Sequence, residues 1–195
     1  MLAAVILSGG ASQRMGSPKA LLPYQGRPFL EHLLAVTRHP KIGVHRVVLG
    51  VHAEPIAKAI HLPADEVVIN ADWEKGQLSS IQAAIKSLPT GLDGMLLCLV
   101  DHPLISATLV SDLVAAYYSS HAPIVVPVFE GRRGHPVIFS AGLFGELQAA
   151  PLDVGARAVV WAHRAELFQF STNEEGCVLN LNDPETFARV TRSAE

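Results

Sequence analysis

Near its N-terminus the chain reads Leu7-Ser-Gly-Gly-Ala-Ser-Gln-Arg-Met-Gly-Ser-Pro-Lys19, directly after the apolar run Ala3–Leu7. An uncharged apolar run of this length is typical of a buried parallel strand. Glycines in the following turn let backbone N–H groups approach anionic oxygens closely, and Arg14 and Lys19 add two cations beside them. The stretch therefore predicts an α/β fold whose first loop holds phosphate groups, although a purely structural glycine turn is the alternative.

Two common phosphate-binding loops do not fit this stretch. A Walker loop needs Gly-Lys followed by Ser or Thr, whereas Lys19 is followed by Ala20. A dinucleotide fingerprint needs Gly-x-Gly-x-x-Gly and an acidic residue at the end of the second strand, where this chain has Leu49-Gly-Val-His52. An NAD-dependent oxidoreductase is therefore disfavoured.

The remaining sequence alternates short apolar runs with amphipathic segments, which is the pattern of a mostly parallel sheet covered by helices on both faces. Predicted strands are Ala3–Leu7, Arg46–Val51, Glu66–Ile69, Met95–Val100, Ile124–Val128, Val137–Phe139, Leu167–Phe170 and Cys177–Leu181. Helices are predicted from Pro28 to Thr37, from Ser79 to Ser87, from a Ser106 cap towards Tyr118, and after Asp183. After Ile124–Val128 the alternation breaks, and Glu130-Gly-Arg-Arg-Gly134 predicts a small β-hairpin.

Composition narrows the functional classes. A net charge of −3 over 195 residues, without a run of Lys or Arg, argues against nucleic acid as a partner. No apolar run approaches the roughly 20 residues of a membrane helix, and the N-terminus lacks the basic residues of a signal peptide. Two cysteines, Cys98 and Cys177, are too few for a disulfide framework. We therefore expect a cytoplasmic protein with a single domain spanning residues 1–195.

Asp101 follows the predicted strand Met95–Val100, at the edge of the sheet where α/β proteins place their ligands. A carboxylate in this position is a suitable hard oxygen ligand for Mg²⁺. A structural alternative is that Asp101 only caps the following turn, which contains Pro103.

Six motifs, taken together, carry a resemblance. They are the loop ending at Lys19, Asn70-Ala-Asp-Trp-Glu-Lys-Gly-Gln-Leu-Ser-Ser80, Val100-Asp-His-Pro103, Gly131-Arg-Arg-Gly-His-Pro136, Asp153-Val-Gly-Ala-Arg157 and Asn180-Leu-Asn-Asp-Pro-Glu185. In this order they resemble the MobA-like NTP transferases, in particular the molybdenum-cofactor cytidylyltransferases. The chain departs from that family at Val100, where Gly is usual, and at His102, where Gln is common.

The resemblance implies a Rossmann-like three-layer sandwich and a function for each motif. Arg14, Lys19 and Asp101 would be catalytic, and Asp101 would bind Mg²⁺ with Asn182, or with its neighbour Asn180. His135, Arg133 and Arg157, with Arg132 nearby, would border the acceptor site. The nucleotide would contact Leu7, Ser8, Gly9, Gly10, Ser12, Arg14, Lys19, Gly76, Ser79 and Ser80, and Trp73 would either stack on a ring or only pack.

The implied reaction transfers CMP from CTP to the phosphate of molybdopterin or of its molybdenum-loaded form, with release of pyrophosphate and with Mg²⁺ as cofactor. GTP is one alternative, because Gly9-Gly10 resembles the guanylyltransferase loop, where cytidylyltransferases have Ala-Gly. Another is a MobA-like nucleotidyltransferase that acts on a different phosphorylated acceptor. A molybdoenzyme would be a partner that receives the product. A different class, a non-catalytic nucleotide-binding partner of a molybdoenzyme, would not need Lys19, Asp101 and Asn182 together.

Overall fold

In the computed structural model, which describes residues 1–10 and 16–192, eight of the strands form one sheet in the order β10-β7-β9-β6-β1-β4-β5, with β8 paired to β7. A separate pair, β2 and β3, forms a short antiparallel hairpin. The strands are β1 (Leu2–Ser8), β2 (Pro23–Tyr24), β3 (Arg27–Pro28), β4 (Ile42–Leu49), β5 (Val67–Ile69), β6 (Gly94–Leu99), β7 (Ile124–Phe129), β8 (Arg132–Arg133), β9 (Val137–Ser140) and β10 (Leu167–Ser171).

Seven α-helices lie in the described part of the chain and cover both faces of the sheet. They are α1 (Phe29–Val36), α2 (Ala53–Ile60), α3 (Gln77–Ser87), α4 (Ala107–Ser120), α5 (Phe144–Ala149), α6 (Arg157–Ala162) and α7 (Pro184–Arg192). As predicted, Ser106 caps α4, because its Oγ accepts a hydrogen bond from the N–H of Leu109 at 3.0 Å. In the same way the Asp183 carboxylate accepts one from the N–H of Thr186 at 2.8 Å.

The central strand explains why the sheet is covered on both faces. All seven residues of β1 are buried, so both faces of this strand need apolar cover. Its even-numbered residues Leu2, Ala4 and Ile6 pack in one core cluster with α1, α2 and α4. Its odd-numbered residues pack in a second cluster with α3, α5 and α6. The predicted three-layer α/β architecture is confirmed.

Strand direction follows the predicted pattern of a mostly parallel sheet. β1 runs parallel to β4 and β6, β4 parallel to β5, and β7 parallel to β10. β9 is antiparallel to both of its neighbours, β6 and β7, so the break predicted after Ile124–Val128 is real. The hairpin between β7 and β8 turns at Glu130 and Gly131, which both have positive φ.

One predicted strand is wrong. Residues Cys177–Leu181 were expected to be a strand, but a 3₁₀ turn at Glu175–Cys177 is followed by irregular chain. Cys177, Val178 and Leu181 are buried in the first core cluster, so the apolar run reflects burial without sheet pairing. The backbone N–H of Leu181 donates to the carbonyl of Asp101 at 2.7 Å instead of joining a ladder.

The composition predicts neither a membrane helix nor a disulfide framework. In the described residues no helix is long and apolar enough to cross a membrane. Cys98 and Cys177 are both buried and unbonded to each other. Burial raises the pKa of the Cys98 thiol to about 12 and that of the Cys177 thiol to about 11, so both stay protonated at neutral pH.

Candidate active site

The carboxyl ends of β1 and β6 open into a cavity of about 370 Å³. Parallel strands bring their carboxyl ends to one edge of the sheet, which is where open α/β folds bind ligands. The cavity is lined by Leu7, Ser8, Gly9, Gly10, Lys19, Trp73, Glu74, Gly76, Gln77, Ser80, Leu99, Val100 and Asp101. Residues separated by more than 90 positions in sequence therefore share one surface.

Gly9 in the first loop and Gly50 after β4 have a geometric reason for lacking side chains. A Cβ on Gly50, which follows β4, would stand 2.2 Å from the carbonyl oxygen of Gly9. A Cβ on Gly9 would stand 3.1 Å from Ser80 Oγ and 3.8 Å from Trp73 Cβ. The loop after β1 is thus pressed between the end of β4 and the start of α3, and only glycine fits without displacement.

A buried asparagine orders the wall formed by α3. Asn70 Oδ1 accepts a hydrogen bond from the N–H of Asp72 at 3.0 Å, which fixes the amide orientation. Its Nδ2 then donates to Ser79 Oγ at 2.8 Å and to Ser80 Oγ at 2.9 Å. The Ser79 hydroxyl donates onward to the carbonyls of Asp72 and Gly76, at 2.9 and 2.8 Å. Ser79 therefore faces the protein, while Ser80 lines the cavity.

Asn70 was not among the residues predicted to form the site, although its position carries a signal. The residue directly follows β5, at the same edge of the sheet as Asp101, and a polar residue in that position favours a role at the site. Its side chain is 5% exposed, and its amide ties the two serines to the turn before α3.

Lys19, Asp101 and Asn182 meet at one side of the cavity. The ammonium of Lys19 donates a hydrogen bond to Asn182 Oδ1 and lies 4.0 Å from Asp101 Oδ2. The Lys19 and Asp101 side chains are 18% and 22% exposed, so solvent screens their attraction less than at an open surface. A carboxylate and an amide oxygen therefore converge on one cationic group.

Asn182 reaches this position through an irregular segment, residues 174–182, which we name the strap. The Glu174 carboxylate accepts hydrogen bonds from the hydroxyl and N–H of Ser106, at 2.6 and 3.3 Å. Further along, the carbonyl of Cys177 accepts from the N–H of His135 at 2.8 Å. With the bond from Leu181 to Asp101, the strap is held at both ends and in its middle. Tertiary contacts, not a strand, place Asn182 beside Asp101.

Two imidazoles pack against each other within electrostatic reach of Asp101. The rings of His102 and His135 lie 5.2 Å apart between centroids, and Nδ1 of each is buried without a hydrogen-bond partner among the described residues. Burial and the neighbouring His102 lower the pKa of His135 to about 4. Burial also lowers the pKa of His102, against the opposing effect of Asp101. Both rings are therefore neutral at pH 7.

A larger groove, of about 580 Å³, lies away from this edge of the sheet. Its charged side chains are mixed, with Arg27 and Arg38 near Glu31 and Glu66, and it includes no residue from the carboxyl ends of the parallel strands. The smaller cavity is the better candidate, because it joins the glycine loop to a carboxylate and a lysine.

Comparison with known proteins now identifies the family. The model of the MobA-like NTP transferase domain matches residues 4–167. The chain belongs to the MobA-like NTP transferase family. It is a nucleotidyltransferase, as the sequence motifs predict, and the predicted fold agrees with that of solved structures.

Relatives within this MobA-like family differ in their named activities. The nicotine blue oxidoreductase of Paenarthrobacter nicotinovorans is 38% identical over 152 residues, which is 71% of each chain. The molybdenum cofactor guanylyltransferase of Xanthomonas euvesicatoria is 28% identical, over 95% of this chain and 92% of that protein. Rv0371c of Mycobacterium tuberculosis superposes with a TM-score of 0.79 at 26% identity, covering 98% of this chain and 99% of its own. A manganese complex of Rv0371c has also been solved.

Not every residue predicted from the MobA-like motifs lies at the cavity. The predicted residues that line it are Leu7, Ser8, Gly9, Gly10, Lys19, Gly76, Ser80 and Asp101, together with Trp73. Asn182 joins them through Lys19, whereas Asn180 is exposed. Ser12 and Arg14 lie outside the described residues, so their predicted contacts stay predictions.

The residues predicted to border the acceptor are more dispersed. Arg133 lies in β8 and Arg157 begins α6, and both side chains are exposed. Neither guanidinium has a hydrogen bond or ion pair with another described residue. His135 lies beside the strap next to His102, and Arg132 donates to the carbonyl of Val178 at 3.4 Å. The role of these residues towards an acceptor stays a prediction.

Proposed function

We propose that this chain transfers a nucleotidyl group from CTP to the phosphate of a molybdopterin-type acceptor, in one domain and with Mg²⁺, releasing pyrophosphate. The observation that carries the proposal is the convergence of Lys19, Asp101 and Asn182 on the cavity behind the glycine loop. A nucleotide-binding protein without catalysis has no need for a carboxylate and a lysine at this point.

The reaction is a displacement at the α-phosphorus. An oxygen of the acceptor phosphate forms a bond to the α-phosphorus, and the bond between the α-phosphorus and the bridging oxygen breaks, so that pyrophosphate leaves with both bonding electrons. Catalysis then depends on positioning and on stabilising charge. Backbone N–H groups of Ser8, Gly9 and Gly10 would orient the triphosphate, and Lys19 and Arg14 would stabilise the charge that develops on pyrophosphate.

The donor set fits a divalent cation. Asp101 supplies a carboxylate and Asn182 an amide oxygen, which are the hard ligands that Mg²⁺ and Mn²⁺ prefer. Both oxygens already face the single positive charge of Lys19, which marks the point as a cation position. When bound there, Mg²⁺ would neutralise charge on the phosphate oxygens. The strap and the turn after β6 fix the two ligand side chains in place.

The choice of base rests on motifs that point in different directions. Gly134-His135-Pro136 and Asp153-Val-Gly-Ala-Arg157 resemble cytidylyltransferases and support CTP. Gly9, and the guanylyltransferase named among the relatives, favour GTP as the second candidate. The molybdopterin-type acceptor is inferred from the same relatives, with Arg133 and Arg157 as exposed partners for its phosphate.

Nucleotide binding tests the proposal first. We expect CTP with Mg²⁺ to raise the melting temperature by roughly 5–10 °C at a hundredfold excess over its Kd, because a ligand of the native state stabilises it. GTP should give a smaller shift, and ATP and UTP smaller ones still. Equal shifts with all four nucleotides would contradict the base assignment.

Catalysis is tested separately, by pyrophosphate release. Release should require CTP, Mg²⁺ and molybdopterin together, and omission of the acceptor should abolish it. The relative named nicotine blue oxidoreductase makes hydride transfer a candidate from another class. Oxidation of NAD(P)H coupled to the reduction of nicotine blue, without any acceptor-dependent pyrophosphate release, would favour that class over the proposed transferase.

Base selection can be probed at Gly9. In Gly9→Ala the new methyl group would stand 3.1 Å from Ser80 Oγ, which narrows the cavity beside this hydroxyl. The kcat/KM for a purine nucleotide should fall more than that for a pyrimidine nucleotide. We therefore expect the ratio of kcat/KM for CTP over GTP to rise by about tenfold. Gly10→Ala is the matched control, because its methyl group would meet no atom of another described residue within 4 Å. A ratio unchanged in Gly9→Ala would exclude Gly9 as a determinant of base choice.

A further inference from the structure

We propose that the ammonium of Lys19 competes with the divalent cation for Asp101 and Asn182, so that metal binds strongly only after a nucleotide has drawn the lysine away. The inference rests on the proposed function, because it assigns the metal to these two residues. It concerns the order of binding, which the family resemblance and the names of the relatives leave open.

The side-chain oxygens of Asp101 and Asn182 face one lysine. Lys19 Nζ donates to Asn182 Oδ1 and lies 4.0 Å from Asp101 Oδ2. A divalent cation held by these oxygens would lie next to the ammonium, in a partly buried place where like charges repel more strongly than in bulk water. The lysine and the metal therefore oppose each other's binding.

The side chain of Lys19 can move while its backbone stays in place. Lys19 begins a 3₁₀ turn, Lys19–Leu21, in which the N–H of Leu22 donates to the Lys19 carbonyl at 3.1 Å. The next residue, Ala20, is fully buried and anchors the turn. A flexible four-carbon stem carries the ammonium, so rotation of the side chain alone can redirect the charge.

The nucleotide offers the Lys19 ammonium a more strongly charged partner than Asp101 and Asn182 do. Lys19 lines the cavity together with the backbone of Ser8, Gly9 and Gly10. A triphosphate in this cavity brings several negative charges within reach of the lysine. Once the ammonium binds phosphate, its repulsion of the metal falls and the oxygens of Asp101 and Asn182 become available. Nucleotide and metal should therefore bind with positive coupling, and Lys19 adds to the coupling that the phosphate oxygens supply by attracting the metal.

The test measures Mn²⁺ binding, by the electron paramagnetic resonance signal of free Mn²⁺, without any turnover. Lys19→Met removes the charge and keeps the length of the side chain. Without nucleotide, we expect Lys19→Met to bind Mn²⁺ about tenfold more tightly than the unmodified protein. Lys19→Gln should also bind Mn²⁺ more tightly than the unmodified protein, so that the result does not depend on a single substitution. A non-hydrolysable CTP analogue should tighten Mn²⁺ binding in the unmodified protein and much less in Lys19→Met.

Lys75→Met is the matched control. Lys75 ends the 3₁₀ turn Trp73–Lys75, next to cavity residues Glu74 and Gly76, and pairs with Asp72 at 2.9 Å. Its loss therefore removes one positive charge that forms no ion pair with Asp101 among the described residues. Its Mn²⁺ affinity should stay close to that of the unmodified protein. Adding Asp101→Asn to Lys19→Met should abolish the gain, which places the bound Mn²⁺ at Asp101.

The outcomes separate this inference from the proposed function. If the unmodified protein binds Mn²⁺ with the nucleotide analogue, and Lys19→Met binds it no more tightly without nucleotide, the competition is refuted and the metal site remains. If neither protein binds Mn²⁺ with or without the analogue, the proposed metal site fails and the inference fails with it. A gain of equal size in Lys75→Met would also overturn the inference, since it would reflect net charge alone.

Discussion

Replacing Asp101 with asparagine is expected to lower kcat for nucleotidyl transfer by about 10²–10³, with little effect on folding. The substitution keeps the shape of the side chain and the backbone carbonyl that accepts from Leu181, but it removes the only carboxylate among the three converging residues. A neutral amide holds a divalent cation less strongly than a carboxylate does.

The measurement is pyrophosphate release at saturating CTP and acceptor over a wide range of Mg²⁺ concentrations. Asp112→Asn is the control, because Asp112 is exposed on α4 and loses the same charge at a distance from the cavity. Thermal unfolding should confirm that both variants fold. Wild-type turnover of Asp101→Asn at saturating Mg²⁺ would remove Asp101 from the proposed mechanism.

Replacing Gly176 with alanine is expected to lower the free energy of unfolding by about 1–3 kcal/mol and to weaken the metal site at the same time. A Cβ at Gly176 would stand 2.5 Å from the carbonyl oxygen of Leu104, so the strap or the turn after β6 must shift. Because the strap carries Asn182, this shift should also raise the Mg²⁺ concentration needed for half-maximal activity.

Urea unfolding and Mg²⁺ titrations of activity measure the two effects. Gly145→Ala is the matched control, since within the described part of the chain its Cβ would meet no atom closer than 4 Å, and alanine is favoured over glycine inside helix α5. That variant should be as stable as the unmodified protein or slightly more stable. If Gly176→Ala unfolded at the same urea concentration as Gly145→Ala, the close packing of the strap would not constrain the site.

The sequence was sufficient for features that depend on local patterns. The buried run Ala3–Leu7 predicts a central strand because uncharged residues on both faces need cover from both sides. Asp101 is predicted at the functional edge because it directly follows a strand. Ser106 is predicted as a helix cap because its hydroxyl can accept from a free N–H of the first turn.

The strap shows where local patterns fail. Cys177–Leu181 is as apolar as a strand, but Cys177, Val178 and Leu181 are buried in the first core cluster. The N–H groups of residues 177–179 bond to carbonyls of Glu174 and Glu175 within the strap, and that of Leu181 bonds to Asp101. Burial produces the same apolar run with or without sheet pairing, so hydrophobicity alone could not distinguish the two.

Sequence by itself thus determined the α/β class, the glycine loop, the family and the position of Asp101 after a central strand. Only the tertiary structure decided which residues meet. Lys19 lies between Asp101 and Asn182. Ser79 faces inward while Ser80 faces the cavity, and His102 packs on His135. The physical reason is that strands and turns follow from neighbouring residues, whereas these contacts depend on how the whole chain closes around the sheet.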